Sequence, residues 1–183
     1  SVGVDTGGVD FVLLSKTGEL LGQPFHYRDA RTRGMLQRAF RRVPRADIFG
    51  ATGIQFMELN TLYQLLALQE ASPELLESAA TFLTIPDFLN YCLADRRVCE
   101  FTNATTTQRV DPHQRQWSFP LLRRFRLPTR MFPELVPPGT TLGPLRAGMA
   151  DRTGLGRVSV VAPATHDTGS AVAAVPTRNT GQA

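Results

Sequence analysis

A chain of 183 residues that is 42% hydrophobic and 20% charged has the balance of one folded domain, which excludes general disorder. No apolar run approaches a membrane span and no basic-then-apolar leader opens the chain, so neither a membrane partner nor a secretion signal is expected. The formal charge of +4 rests almost wholly on arginine, and the cluster from Arg28 to Arg45 is broken by Asp29 and poor in interleaved aromatics, so nucleic acid is not expected as a partner either.

Taken in order, Ser1 to Asp5 and Val9 to Leu14 read as two strand pieces joined by Thr6-Gly7-Gly8. The glycine pair lets the backbone approach a ligand, or simply makes a bulge or turn. Lys16-Thr17-Gly18-Glu19 supplies a turn, and Leu20 to Arg28 reads as the returning strand. The spacing of Met35, Leu36, Ala39 and Phe40 predicts a helix over Ala30 to Arg42. A second helix follows from Pro44 through Phe49, and Thr52-Gly53 ends it. Gln55 reads as a buried amide. Asn60 is expected to cap a strong helix from Thr61 to Glu70, and Pro73 to open another over Glu74 to Ala79.

Phe82 to Ile85 reads as a strand, and Pro86-Asp87 begins a helix over Phe88 to Leu93. Cys92 and Cys99, the two cysteines, have no partnering cluster, which excludes a zinc pattern or disulfide framework and makes a cytoplasmic setting the default. Glu100 to Gln108 is dense in hydroxyls and amides. Such a cluster can line a sugar site or serve as capping and turn chemistry. Asp111 to Trp117 reads as a loop, Ser118 to Phe125 as a basic helix, and Pro128 to Pro138 as extended chain over the surface. Thr140 to Leu145 is a strand and Ala147 to Thr153 a helix closed by Gly154.

The stretch that carries chemistry comes last. Val158 to Pro163 reads as a short buried strand, and the small residues Gly169 to Val175 as a helix packed closely on a sheet. His166, Asp167 and Thr168 therefore stand where a strand's carboxyl end meets a helix's amino end, the place where open α/β sheets bind ligands. Asp167 suits a general base for a substrate hydroxyl. It also suits a helix cap. The order of elements is that of an α/β domain with a large helical insertion.

Several blocks in this order resemble the FGGY carbohydrate kinases, in particular those acting on L-rhamnulose. They are Asp5-Thr6-Gly7-Gly8-Val9-Asp10-Phe11, Tyr27-Arg28-Asp29-Ala30-Arg31-Thr32, Thr52-Gly53-Ile54-Gln55-Phe56, Asn60-Thr61-Leu62-Tyr63-Gln64-Leu65, Pro86-Asp87-Phe88, Glu100 to Gln108, and His166-Asp167-Thr168-Gly169-Ser170-Ala171-Val172. The resemblance runs essentially end to end. It implies the actin-like, ribonuclease-H-like ATPase fold, and a kinase that phosphorylates a ketose at its primary hydroxyl. It implies Asp167 as general base and Gly8, His166 and Thr168 as ketose contacts. It departs at Gly7, where the family pattern has Trp, which bears on which ketose fits.

The family also uses ATP and Mg2+, but its acidic glycine-bearing turn, its second phosphate loop and its ATP-binding domain have no counterpart in this sequence. Residues 1–183 are accordingly expected to be one incomplete sugar-binding domain, inactive alone and prone to self-association through unpaired sheet edges. The chain starts at Ser1 without an initiator Met, which fits either processing or a piece of a longer protein. The rival reading is a non-catalytic module that binds a sugar or a partner.

Overall fold

The four consecutive apolar residues Phe11–Leu14 (β1) lack alternation, so they need cover on both faces, and all four are buried. In the computed structural model, which describes residues 1–176, β1 pairs antiparallel with Thr81–Thr84 (β2), Phe11 opposite Thr84 and Leu14 opposite Thr81. The expected returning strand is reduced to a single bridge between Leu20 and Leu14. At Gly22 (φ 111°) the chain turns out of the sheet, and Pro24 has no N–H to rejoin it.

The helix expected over Ala30–Arg42 is split. Asp29 Oδ1 accepts from Arg31 N (2.8 Å) and opens a single 3-10 turn, Ala30–Thr32. Gly34 (φ 74°) then redirects the chain into Met35–Arg42 (α1). Arg45–Thr52 (α2) continues through Phe49 to the expected terminator, where left-handed Gly53 closes it. Thr61–Ala71 (α3) is buried from Thr61 through Leu68, so it is the central helix of the main core. Pro73–Ser78 (α4) starts on its proline, whose missing N–H is harmless in a first turn. Leu62, Leu65 and Leu66 of α3 and Phe82 and Leu83 of β2 are fully buried in one cluster with β1.

Ile85–Ala94 (α5) leads to Cys99–Glu100 (β3) and directly into Phe101–Thr106 (α6). The stretch expected as a loop is a tight hairpin, Val110–Asp111 (β4) against Gln116–Trp117 (β5), with Arg115 at φ 52° in the turn. Phe119–Arg124 (α7) follows. The proline-rich stretch is not draped over the surface. It carries a 3-10 turn, Thr129–Met131, and Leu135–Val136 (β6), which pairs parallel with β3 and places Met131 and Val136 in the interior. Beneath β5 lies Arg109, fully buried, its guanidinium 4.1 Å from the Phe82 ring centre, 5.0 Å from Phe132 and 5.4 Å from Trp117. No hydrogen-bond acceptor among the described residues meets its three nitrogens. Ring faces thus replace the usual carboxylate partner, and burial pushes the guanidinium down to about 9.

Thr140–Pro144 (β7) and Ser159–Ala162 (β8) form an antiparallel pair with an irregularity between Thr141 and Gly143, and Ala147–Thr153 (α8) connects them. The opening residues are no strand of their own but run parallel along β8. Val2 N donates to Ser159 O (2.9 Å), Val161 N to Val2 O (2.8 Å) and Thr6 N to Thr165 O (3.0 Å). A smaller apolar cluster built on Leu142, Val160 and Ala162 supports this second layer. Asp167–Ala173 (α9) ends the described chain with none of its residues buried, so the expected close packing of this helix on a sheet is not what forms. Among the described residues no helix is long and apolar enough to cross a membrane.

Candidate active site

Two backbone segments meet at the end of β8. One is the turn Thr6-Gly7-Gly8-Val9 before β1, and the other is Thr165-His166-Asp167 before α9. Asp167 N donates to Thr6 O (2.9 Å), so the parallel pairing carries straight into the helix start. The capping position of α9 is His166, which makes no side-chain capping bond, and Asp167 stands one residue inside the helix. Its Oδ1 accepts from Thr168 N (2.6 Å) and Thr168 Oγ1 (3.2 Å) and lies 3.5 Å from His166 Nε2. Among the described residues no donor reaches Oδ2. The side chain is 58% exposed, and a Cβ placed on Gly7 would come 3.9 Å from Oδ2, with nothing else as near. One carboxylate oxygen is thereby oriented, and the other faces open space above Gly7.

The two glycines differ. Gly7 is exposed and free of close neighbours, whereas a Cβ on Gly8 would fall 2.7 Å from Thr106 Oγ1 on α6. Gly8 is therefore required by a close approach of backbone to α6, whatever else it touches. Val9 next to it is at φ 72°, an outlier for a β-branched residue. Its carbonyl is held by Thr61 Oγ1 (2.6 Å) and Gln64 Nε2 (3.1 Å), and Gln64 is fixed in turn by Arg31 (2.9 Å). Strain of this kind persists where the surroundings over-determine the backbone, as at binding sites. Helix periodicity, which marks only apolar positions, did not single out Thr61 and Gln64, whereas Thr106 lies in the hydroxyl-rich stretch noted as able to line a site.

Of the other candidates, Gln55 is exposed rather than buried and lines an open groove with Arg45, Phe49 and Phe56. Asn60 and Gln108, close to it, are the amides buried here. Asn60 occupies the capping position of α3 but makes no capping bond, its Nδ2 donating instead to Gln55 O (2.8 Å) and Gln108 Oε1 (3.0 Å). The hydroxyl-rich stretch is capping chemistry: Glu100 caps α6, while Thr105 and Thr106 bond back to the carbonyls of Thr102 and Asn103.

Asp87 on α5 is almost fully buried beside Glu100, accepting from Glu100 N (2.9 Å) and Thr84 Oγ1. Burial pushes its carboxyl from 3.8 up to about 7, more than its hydrogen bonds pull it down. Between those values the folded chain holds a proton that the unfolded chain has released, so stability falls as pH rises across the window. We expect Asp87→Asn, whose oxygen keeps the bond from Glu100 N and whose amide N–H donates to Thr84 Oγ1 in its place, to flatten urea-measured stability between pH 4.5 and 7, removing a slope of up to about 1.4 kcal/mol per pH unit. An unchanged slope in the variant would place the effect elsewhere.

Comparison with known proteins identifies the family and the fold. The family model described as "FGGY family of carbohydrate kinases, N-terminal domain" matches residues 1–174. A rhamnulokinase of Oceanobacillus iheyensis is 44% identical over 176 residues, 96% of this chain and 37% of that protein. One of Bacteroides thetaiotaomicron is 46% identical over 176 residues, 96% of this chain and 36% of that protein. The chain thus spans little more than a third of the length of these relatives. Among solved structures, a gluconate kinase from Lactobacillus acidophilus superposes with a TM-score of 0.80 at 19% identity, covering 87% of this chain and 32% of that one. A Plasmodium falciparum glycerol kinase with ADP gives 0.78 at 18% identity, covering 88% and 33%. The two small layers are therefore part of the actin-like, ribonuclease-H-like fold of sugar kinases. The chain belongs to the FGGY family of carbohydrate kinases.

Proposed function

We propose that this chain forms the sugar-binding side of a kinase that phosphorylates the primary hydroxyl of a ketose, L-rhamnulose first among candidates, with Asp167 as general base. The observation that supports it most is the division of labour at Asp167. Oδ1 is engaged by Thr168 and neighboured by His166, while Oδ2 faces open space over the Gly7 backbone. A hydroxyl seated there delivers its proton to Oδ2, and its oxygen gains nucleophilicity toward the phosphoryl donor. Gly8, His166 and Thr168, the chain neighbours of Gly7 and Asp167, are assigned the ketose contacts. The curated relatives at 44% and 46% identity carry the name rhamnulokinase, which favours this ketose.

The donor of the complete reaction is ATP with Mg2+. Among the described residues no three His, Cys, Asp or Glu side chains gather to hold a metal ion, and no GxGxxG or GxxxxGK[ST] loop occurs in the sequence. The chemistry this chain contributes lies on the acceptor side. Such a reaction depends chiefly on positioning donor and acceptor in line.

Gly7→Trp tests the pocket. The position admits a Cβ without a close neighbour, and an indole carried on it would return apolar wall to the ketose. We expect calorimetric titration with L-rhamnulose to show tighter binding in Gly7→Trp, by about tenfold if half the indole face is covered. Binding unchanged or weakened by the indole would mean that the sugar does not lie over Gly7. No saturable heat with L-rhamnulose or other ketoses in either protein would remove the reading.

A further inference from the structure

Glu100 is fully buried at the junction of β3 and α6, and its carboxylate accepts from donors on α6 and on the loop before α9. Oε1 accepts from Thr102 N (2.8 Å). Oε2 accepts from Thr102 Oγ1 (2.6 Å), Asn103 N (3.3 Å), Thr165 N (2.9 Å) and Thr165 Oγ1 (2.9 Å). One side chain therefore caps α6 and grips the backbone two residues before Asp167. Asn103, on the turn that Glu100 caps, adds Nδ2 to Thr165 O (3.2 Å). The same helix sets the other wall of the site, because Thr106 lies against Gly8. Thr102 also meets α9, accepting from His166 N (3.5 Å), and a Cβ on Gly169 would lie 3.5 Å from its hydroxyl.

We infer that Glu100 is a positioning residue, whose carboxylate locks α6 to Thr165 and thereby fixes the separation between the Asp167 carboxylate and the Gly8 backbone. The inference rests on the base role of Asp167. A helix cap alone needs only the bonds to Thr102 N and Asn103 N. The two bonds to Thr165 add nothing to α6 and act only on the loop that carries the base. Charge-assisted bonds of this kind are the stronger class, and their loss inside a buried network leaves donors unsatisfied.

Glu100→Gln and Thr165→Val test it. In Glu100→Gln the new amide N–H must face at least one backbone N–H, so the network breaks. Thr165→Val is nearly isosteric and removes only one donor. Hydrogen exchange on the chain itself should quicken at Thr165 and Asp167 by about ten- to a hundredfold in Glu100→Gln and less in Thr165→Val, while the β1–β2 amides stay protected. In the kinase that carries these residues, both variants should lower kcat, Glu100→Gln by about tenfold or more, with KM for the ketose changed less than about threefold. Exchange that rises evenly through the core, or kcat unchanged in Thr165→Val alongside altered KM, would make Glu100 a structural cap only. If Asp167→Asn leaves turnover intact in the same kinase, the base role fails, while the exchange experiment still decides whether Glu100 orders the loop. Should Glu100→Gln not fold, Thr165→Val carries both readouts.

Discussion

Asp167→Asn is expected to keep ketose binding within a few-fold and to lose turnover by about two to four orders of magnitude. The amide preserves the shape of the carboxylate and, through its oxygen, the bond from Thr168 N that orients the side chain. What it lacks is a second oxygen able to take a proton, the atom that faces open space above Gly7 in the wild type. Steady-state kinetics in the kinase carrying these residues, with calorimetric titration of the ketose alongside, separates binding from chemistry. Turnover within a factor of a few of wild type would leave Asp167 as a favourable negative charge in the first turn of α9 and no more.

Phe82→Ala should be the costliest substitution in the main core. Phe82 is fully buried and stacks on Phe11 at 5.3 Å, with Phe132 at 5.4 Å and Trp117 at 6.1 Å. Its ring is also the nearest of the three that face the Arg109 guanidinium. Removing it opens a cavity and strips an unpaired buried cation of its best partner. Urea denaturation should register about 3–5 kcal/mol, toward the upper end because both effects act together. Phe49→Ala, at a ring that is 52% exposed, should change stability by less than about 0.5 kcal/mol. Equal losses at the two positions would show that the aromatic cage does not carry the core.

Strong apolar patterns were legible in the sequence. The unbroken run of β1 and the leucines of α3 could only be interior, and both are. The family was legible too, since long ordered blocks carry it. Short pairings were not. β3 and β6 contribute two residues each, too few for any period, and a proline-rich stretch hid the second of them. Arg109 was illegible for another reason: its partners are aromatic rings brought from three separate segments, and no local pattern announces that. At the site, the sequence pointed to Asp167, His166 and Thr168 by their place after a strand. It could not show that the capping position belongs to His166, because one residue of helix phase separates the two arrangements. Nor could it show that Gly8 and Gly7 do different things, since only the approach of Thr106 distinguishes them.

The parallel seam between the opening residues and the end of β8 has a consequence for how the molecule is made. The buried residues of the main core run from Phe11 to Phe132. Thr6, however, finds its partners at Thr165 and Asp167, almost the whole length of the chain later. Closing so long a loop is entropically expensive, and such non-local pairings form slowly. During synthesis the first residues must therefore wait, unpaired, until the last turn of the site leaves the ribosome. The corner around Asp167 forms after the main core, and a nascent chain stalled before residue 165 presents an open edge to the chaperones around it.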